Sequence, residues 1–162
     1  MDFPDIWAVG PGKYHGVFGI TWHHKLDLPG VKDFVARYQK RWPNAPIPVP
    51  ENVSYNGYIG MRELLRAVER AGTTRSHEVI KALEGWTFSD NMKHHPTTIR
   101  DFDHIFMQTM YIAKAKDKEK MADRTDLYEI LGVVKPEDAA IKKEDGKCKM
   151  EPYEKTPAYL VK

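Results

Sequence analysis

The stretch from Asn52 to Gly72 constrains the fold more than any other part of the sequence. It begins with a polar, aromatic approach that contains Tyr55, Asn56 and Tyr58. Gly72 follows at a position where a left-handed residue ends many helices. Between them, four apolar residues recur at helical spacing and form one stripe of an amphipathic helix: Met61, Leu64, Leu65 and Val68. The stretch predicts a surface helix with one face on a core, entered through an aromatic-lined segment.

The segments around this helix predict a chain of mixed strands and helices. Alternating apolar residues and β-prone composition indicate strands, whereas apolar spacing of three and four residues indicates helices. The predicted elements, in order, are a strand at 16–22, a helix at 31–42, a helix after Thr74 or Ser76 that ends near Gly85, and strands at 86–88, 105–115 and 127–134. Four prolines in residues 43–50 disfavour helix and central strand, so this run is predicted to be an extended connector. The order predicts an α/β fold.

Length and charge argue against several classes of partner. A chain of 162 residues suits one globular domain of ordinary size. Its net charge of +2 gives no electrostatic reason to expect nucleic acid or an anionic membrane. No apolar run approaches the length of a membrane span, and Met1–Asp5 lacks the basic and apolar regions of a signal peptide. The single Cys148 excludes an internal disulfide framework.

The chemistry-bearing residues give little support for an enzyme. Seven histidines include the pairs His23–His24 and His94–His95, but adjacent histidines on a strand point to opposite faces and make a poor metal site. The sequence contains no phosphate-binding loop, dinucleotide fingerprint or nucleophile elbow. We therefore predict no catalytic residue, no metal and no cofactor. A histidine-dependent metal enzyme stays open as a distant alternative.

Several short motifs, taken in order along the chain, carry a resemblance. The clearest combines Tyr58-Ile59-Gly60, Leu64-Leu65 and Ala67–Gly72. The others are the Gly10–Phe34 passage, the helix end Arg37–Trp42, Asp101–His104 with Met110–Ile112, and Tyr128–Leu131 with Cys148–Met150. In this order they resemble type I periplasmic solute-binding proteins, the branched-chain amino-acid and amide receptors of ABC importers. The likeness runs roughly from Ile6 to Met150.

The resemblance implies the carboxy-terminal portion of a two-lobed, parallel-sheet fold whose amino-terminal half is missing. Residues 1–52 are then part of the second lobe, 53–94 part of the first lobe, 95–150 the return crossing and part of the second lobe, and 151–162 an irregular tail. Parallel strands need neighbours on both sides. We therefore expect the chain alone to be marginally stable, or to pair with a second copy or a complementary half. The alternative is a complete small domain that reuses similar helices.

The resemblance also implies a function: the substrate-binding component of an ABC transporter, which captures a small polar solute between its lobes. It implies a membrane permease as partner, a periplasmic location and no enzyme activity. Carried over by position, the ligand contacts are Tyr14, His15, Tyr55 and Tyr58. Amino-acid receptors commonly have an acidic residue where His15 stands, and a neutral histidine cannot supply that charge to a ligand ammonium. An amide, a carboxylate or an aromatic acid is then as good a candidate as an amino acid.

Simpler roles stay open for these residues. His15 is equally well a solvated loop residue, Tyr58 a lobe-core residue, and Asn56 the cap of the helix that begins nearby. The alternative function is a small α/β interaction domain that self-associates through apolar helix faces and binds no ligand.

Overall fold

The computed structural model describes residues 3–10 and 12–150, so the predicted tail at 151–162 lies outside the described residues. Five helices and six strands occur in these residues. In chain order they are α1 (Phe3–Val9), β1 (Val17–Ile20), α2 (Pro29–Arg41), α3 (Asn52–Ala71), α4 (Ser76–Leu83), β2 (Thr87–Phe88), β3 (Thr97–Ile99), β4 (Phe106–Met107), β5 (Met110–Ala115), β6 (Tyr128–Val134) and α5 (Pro136–Ala139), with a 3-10 turn at Lys118–Lys120. None of the described helices is both long enough and apolar enough to cross a membrane.

Two small sheets form the β-structure of the described residues. Sheet A has the order β1-β5-β6, and sheet B has the order β2-β3-β4. In sheet A, Val17 pairs with Lys114 at one end of β1, and Ile20 pairs with Tyr111 at the other. The predicted α/β class is confirmed, but the parallel strand pairing that the resemblance implies does not occur among the described residues, where all four strand pairs are antiparallel.

The predicted single strand at 105–115 is in fact two strands that belong to different sheets. β4 joins sheet B and β5 joins sheet A, with Gln108 and Thr109 between them. Thr109 is completely buried, and its hydroxyl contacts the backbone and ring nitrogens of His95. Since these side-chain contacts take the place of strand pairing, the apolar run is interrupted where the chain passes from one sheet to the other.

Helix α3 begins earlier than the sequence predicts. The Glu51 carboxylate accepts hydrogen bonds from the backbone nitrogens of Val53 at 2.7 Å and Ser54 at 2.8 Å. This N-cap lets the helix start at Asn52, so Tyr55, Asn56 and Tyr58 lie inside the helix, and the predicted non-helical approach and the Asn56 cap are wrong. The predicted end is confirmed, because Gly72 has a left-handed φ of 64°.

The face that α3 buries is also different from the predicted one. Met61 and Leu65 are 58% and 62% exposed, and Leu64 is exposed as well. The buried face instead carries residues at four-residue spacing: Tyr55, Ile59, Glu63 and Ala67. Glu63 can occupy this face because its carboxylate accepts hydrogen bonds from Arg62, Arg66 and Trp86. Three of the four residues in the apolar stripe of α3 are therefore exposed in the described part of the chain, and Val68 is half-buried.

Helix α2 packs on α3, and a backbone hydrogen bond holds its N-terminal end in place. The Phe34 and Tyr58 rings lie 4.8 Å apart between centroids. The Gly30 nitrogen donates to the Asn91 carbonyl at 3.1 Å, and a side chain at Gly30 would overlap the Asp90 carbonyl oxygen. A glycine is thus required for this close approach of the two backbones. The contact places α2 beside α3 and the loop between β2 and β3 of sheet B.

Candidate functional site

The candidate site lies where the chain passes between sheet A and the α3 unit. We call this region the junction and define it by Thr21–Trp22, Tyr55–Asn56, Lys93 and Gln108–Thr109. A cavity of 210 Å³ opens beside it. Its lining residues come from the first turns of α3, from β3 and β4, and from the segment before β5: Tyr55, Asn56, Ile59, Gly60, Thr97, Phe106 and Gln108.

Two contacts hold the start of α3 against the end of β1. The Tyr55 ring stacks on Trp22 with 5.2 Å between centroids and an interplanar angle of 2°. The Asn56 amide donates a hydrogen bond to the Thr21 hydroxyl at 3.1 Å. Burial raises the pKa of the Tyr55 hydroxyl, which therefore stays protonated at any physiological pH. Tyr55 thus lines the cavity as a buried, uncharged aromatic side chain.

Lys93 occupies the centre of the junction. Its Nζ donates to the Thr21 carbonyl and, at 3.0 Å, to the Thr109 carbonyl. Burial lowers the pKa of Lys93 to about 7, against a smaller opposing effect of Asp90. The neighbouring His94 places Nδ1 3.0 Å from the Tyr111 hydroxyl of β5. Lys93 and His94 are therefore bonded to the residue that follows β1, to the residue that precedes β5, and to Tyr111 in β5.

The structure places Tyr14 and His15 at the other end of sheet A. Tyr14 packs on Phe18, with ring centroids 5.7 Å apart. The His15 side chain is 71% exposed and lies 3.7 Å from Asp117. These residues precede the Val17 end of β1, whereas the junction adjoins the Ile20 end. No contact of the described residues joins either of them to Tyr55, so their shared ligand role with Tyr55 stays a prediction.

Tyr58 faces α2 and not the cavity. Its ring lies against Phe34, and its hydroxyl accepts a hydrogen bond from Arg37 at 3.4 Å. Its role as a ligand contact also stays a prediction. Of the four predicted site residues, Tyr55 alone lines the cavity beside the junction.

Sequence reasoning missed Gln108 and Lys93 as site residues. Gln108 was hidden inside the predicted strand at 105–115, although a polar Gln-Thr pair in an apolar run was the available signal for a break. Lys93 stood in a predicted loop, and nothing in the sequence indicates its burial.

A second, larger cavity of 510 Å³ lies near the Tyr14 end of sheet A. Three of its six lining residues are basic and one is acidic; the lining consists of Gly10, Lys13, Lys118, Met121, Asp123 and Arg124. The Asp123 carboxylate already pairs with Lys25 at 2.9 Å. This basic cavity is a competing location for an anionic ligand and serves below as a control.

The pair His23–His24 is buried in the core and not exposed for ligation. The two rings lie 4.4 Å apart, and His23 packs on Tyr128 at 5.4 Å. Burial lowers the pKa of His23 to about 3 and of His24 to about 4, so both rings are neutral at pH 7. In the part of the chain that the structure describes, no three His, Cys, Asp or Glu side chains are grouped to hold a metal ion.

Gln108 and Thr109 of the junction connect sheet B to sheet A, and a cavity opens beside them. The sequence profile of a family described as periplasmic binding protein matches residues 1–120. The chain therefore belongs to the periplasmic binding protein family, and the predicted recognition is confirmed. Solved structures of similar fold include proteins named as substrate-binding or ligand-binding proteins of ABC transporters.

Solved structures show the same fold at low sequence identity. A periplasmic binding protein from Burkholderia mallei is 22% identical with a TM-score of 0.78, over 91% of this chain and 38% of that one. An amino acid ABC transporter substrate-binding protein from Pseudomonas fluorescens Pf-5 is 22% identical with a TM-score of 0.70, over 91% and 37%. A solute binding protein of an ABC transporter from Rhodopseudomonas palustris BisB5, in complex with 3,4-dihydroxybenzoic acid, is 20% identical with a TM-score of 0.66, over 84% and 35%.

The chain thus spans little more than a third of the length of these structures, consistent with a partial type I periplasmic binding protein fold. A comparison with curated protein sequences gives no match.

Proposed function

We propose that the chain forms part of the substrate-binding component of an ABC importer and contributes one side of an interlobe ligand cleft. The observation that carries this proposal is the cavity at the junction, because it combines an aromatic face from Tyr55 with the side-chain amides of Asn56 and Gln108. The partner would be a membrane permease, reached from the periplasm, and the chain itself would carry no enzyme activity. Family membership supports each of these points.

The junction also suggests where the lobes divide. Predicted boundaries at 1–52, 53–94 and 95–150 stay untested, but α2 packs on α3, and Gly30 contacts the Asp90–Asn91 loop. We therefore propose that the chain leaves one lobe near Thr21 and returns to it near Thr109. Sheet A would then belong to one lobe, and α2, α3, α4 and sheet B to the other.

The cavity chemistry favours a neutral or aromatic solute over an α-amino acid. Its described lining contains no carboxylate to pair with a ligand ammonium. Two amides can donate to a carboxylate or hydroxyl and accept from an amide, while Tyr55 and Phe106 can pack on a ring. The Rhodopseudomonas palustris relative with bound 3,4-dihydroxybenzoic acid supports the same ligand class. We propose an aromatic carboxylate first and an amide second.

Ligand titration tests this function directly. Calorimetry of the chain with 3,4-dihydroxybenzoate, benzamide and leucine should give its strongest binding with the benzoate. Asn56→Ala and Gln108→Ala should each weaken that binding about tenfold, since each removes a hydrogen bond to a polar ligand group. Arg124→Ala, in the basic cavity, is the matched control and should leave binding unchanged.

The outcomes separate the two cavities. Binding that is lost in Arg124→Ala but kept in Asn56→Ala would move the site to the basic cavity. Absence of binding to all three solutes contradicts the proposed site in this chain.

The exposed apolar stripe of α3 favours a second candidate function, an interaction domain that self-associates. For this candidate, the midpoint of urea unfolding should rise with protein concentration, because dimerisation adds stability by mass action. Leu65→Gln should remove the concentration dependence while changing the monomer's free energy of unfolding by no more than about 0.5 kcal/mol, as expected for a surface position. A wild-type midpoint that is the same at 2 protein concentrations rejects the candidate.

A further inference from the structure

The amino group of Lys93 contacts two points on the chain: where it leaves sheet A after β1 and where it enters sheet A again before β5. Its side chain is buried, with 6% of the residue exposed. Nζ donates to the Thr21 carbonyl, directly after β1, and to the Thr109 carbonyl, directly before β5. Thr109 is completely buried, and an unpaired buried acceptor is costly, so the bond from Lys93 satisfies a carbonyl that needs a donor. The two bonds thus fasten the loop between β2 and β3 to the end of sheet A where Ile20 of β1 pairs with Tyr111 of β5.

Two aromatic rings complete the surroundings of the Lys93 amino group. Nζ lies 5.1 Å from the centroid of the Tyr55 ring on α3 and 5.6 Å from that of Tyr111 on β5. Both distances are within reach of a cation–π interaction. Tyr55 lines the cavity and Tyr111 belongs to sheet A, so the amino group is placed between the two sides of the junction.

We propose that Lys93 is the positioning residue of the junction: by joining the Thr21 and Thr109 carbonyls beside the Tyr55 ring, it fixes the angle between sheet A and α3. The width of the cavity follows from that angle. The link between this angle and ligand binding rests on the proposed function. The contacts of Lys93 are made without a ligand.

Protonation gives this role a signature that a purely structural role lacks. The groups that face Nζ are Asp90, which is paired with Arg62, and the hydroxyl-bearing rings of Tyr55 and Tyr111. Burial lowers the pKa of Lys93 to about 7 and raises that of Tyr111 to about 12, whereas a water-exposed lysine titrates near about 10.4.

The sign of the pH effect follows from these values. A looser junction that hydrates Lys93 binds more protons than the closed one between pH 7 and about 10. The looser junction is therefore favoured as the pH falls through this range. Below about pH 7 both arrangements are protonated, and the balance changes no further.

Distance measurements between spin labels test the proposal. Labels at Lys114→Cys on β5 and Glu69→Cys on α3, both exposed positions in a Cys148→Ser background, report the separation of sheet A and α3. We expect a narrow distribution at about pH 9.5 that broadens toward pH 7 and then stays constant. Lys93→Met should give a broad distribution at every pH, and Lys40→Met, an exposed lysine of α2, should behave as the parent chain.

Either of two results overturns the proposal: a parent-chain distribution that does not change with pH, or a Lys93→Met chain that keeps the parent response. If Lys93→Met does not fold, the NMR titration of the Lys93 ε-carbon in the parent chain decides, and a midpoint near about 10.4 contradicts the proposal. Both measurements are made without ligand, so their failure is distinct from failure of the binding function.

Discussion

Replacing Glu63 with alanine should lower the free energy of unfolding by about 3–4 kcal/mol, within the range for breaking a buried ion pair. Glu63 is fully buried on α3. Its carboxylate accepts from Arg62 at 2.7 Å, Arg66 at 3.0 Å and the Trp86 indole at 2.9 Å. Burial alone would raise the pKa of Glu63, but the hydrogen bonds from Arg62 and Trp86 lower it, so the group is ionised at pH 7. Removing it leaves the Arg62 Nε and the Trp86 indole N–H without their acceptor, while the Arg62 guanidinium keeps its contact with Asp90 at 3.3 Å.

Urea unfolding of two further variants makes the Glu63 prediction specific. Glu63→Gln keeps the shape and an acceptor for Trp86 but loses the charge, so we expect an intermediate loss. Glu69→Ala, at an exposed position of the same helix, should change stability by less than about 0.5 kcal/mol. Equal losses for Glu63→Ala and Glu69→Ala would show that the buried network contributes nothing.

Acidification from pH 6.5 to 4.5 should destabilise the protein by about 4–5 kcal/mol through His23 and His24. Burial lowers the pKa of His23 to about 3 and of His24 to about 4, while unfolded histidine titrates near about 6.5. In this pH range the imidazoles of His23 and His24 therefore bind protons in the unfolded state but not in the folded state. Stability is full above pH 6.5 and is lost as the pH falls toward 4.

The measurement is the free energy of unfolding in urea at four pH values between 6.5 and 4.5. This range isolates the histidines, because the pKa values of Asp123 and Asp126 are held below the ordinary range by their hydrogen-bond donors and, for Asp126, against the effect of burial. His23→Phe should flatten the slope by about half. His15→Gln, with an exposed side chain, should leave it unchanged. A wild-type stability that is flat over the range contradicts the prediction.

Local sequence signals predicted the ends of α2 and α3, but they missed α1, β3 and α5 and predicted burial poorly. Gly72 marked the end of α3, and Pro43 marked the end of the helix that became α2, since both residues act on their own backbone. The stripe of Met61, Leu64 and Leu65 shows only that one face of α3 is apolar. Which face is covered depends on Trp86, Arg62 and Tyr55, and their contacts are tertiary.

The candidate site was predictable only in part, for a geometric reason. Tyr55 could be named because it stands at the start of a helix that meets the cleft in the resembling family. Tyr14 and His15 stand before the same strand that leads to the junction, so they are close to Trp22 in sequence. A strand separates its two ends in space, however, and the register of β1 on β5 puts Tyr14 and His15 at the far end. The sequence could not identify Lys93 and Gln108 as site residues, because their site forms only when folding brings Thr21 and Thr109 together.

The pairing of β1 with β5 has a consequence for synthesis on the ribosome. Val17 has its register partner in Lys114, so β1 emerges long before the strand that completes its ladder. Until then its backbone donors and acceptors are open to other nascent chains, and such distant pairings form slowly. A translation pause in the codons between β1 and β5 would lengthen this exposure, whereas a pause after β6 would not.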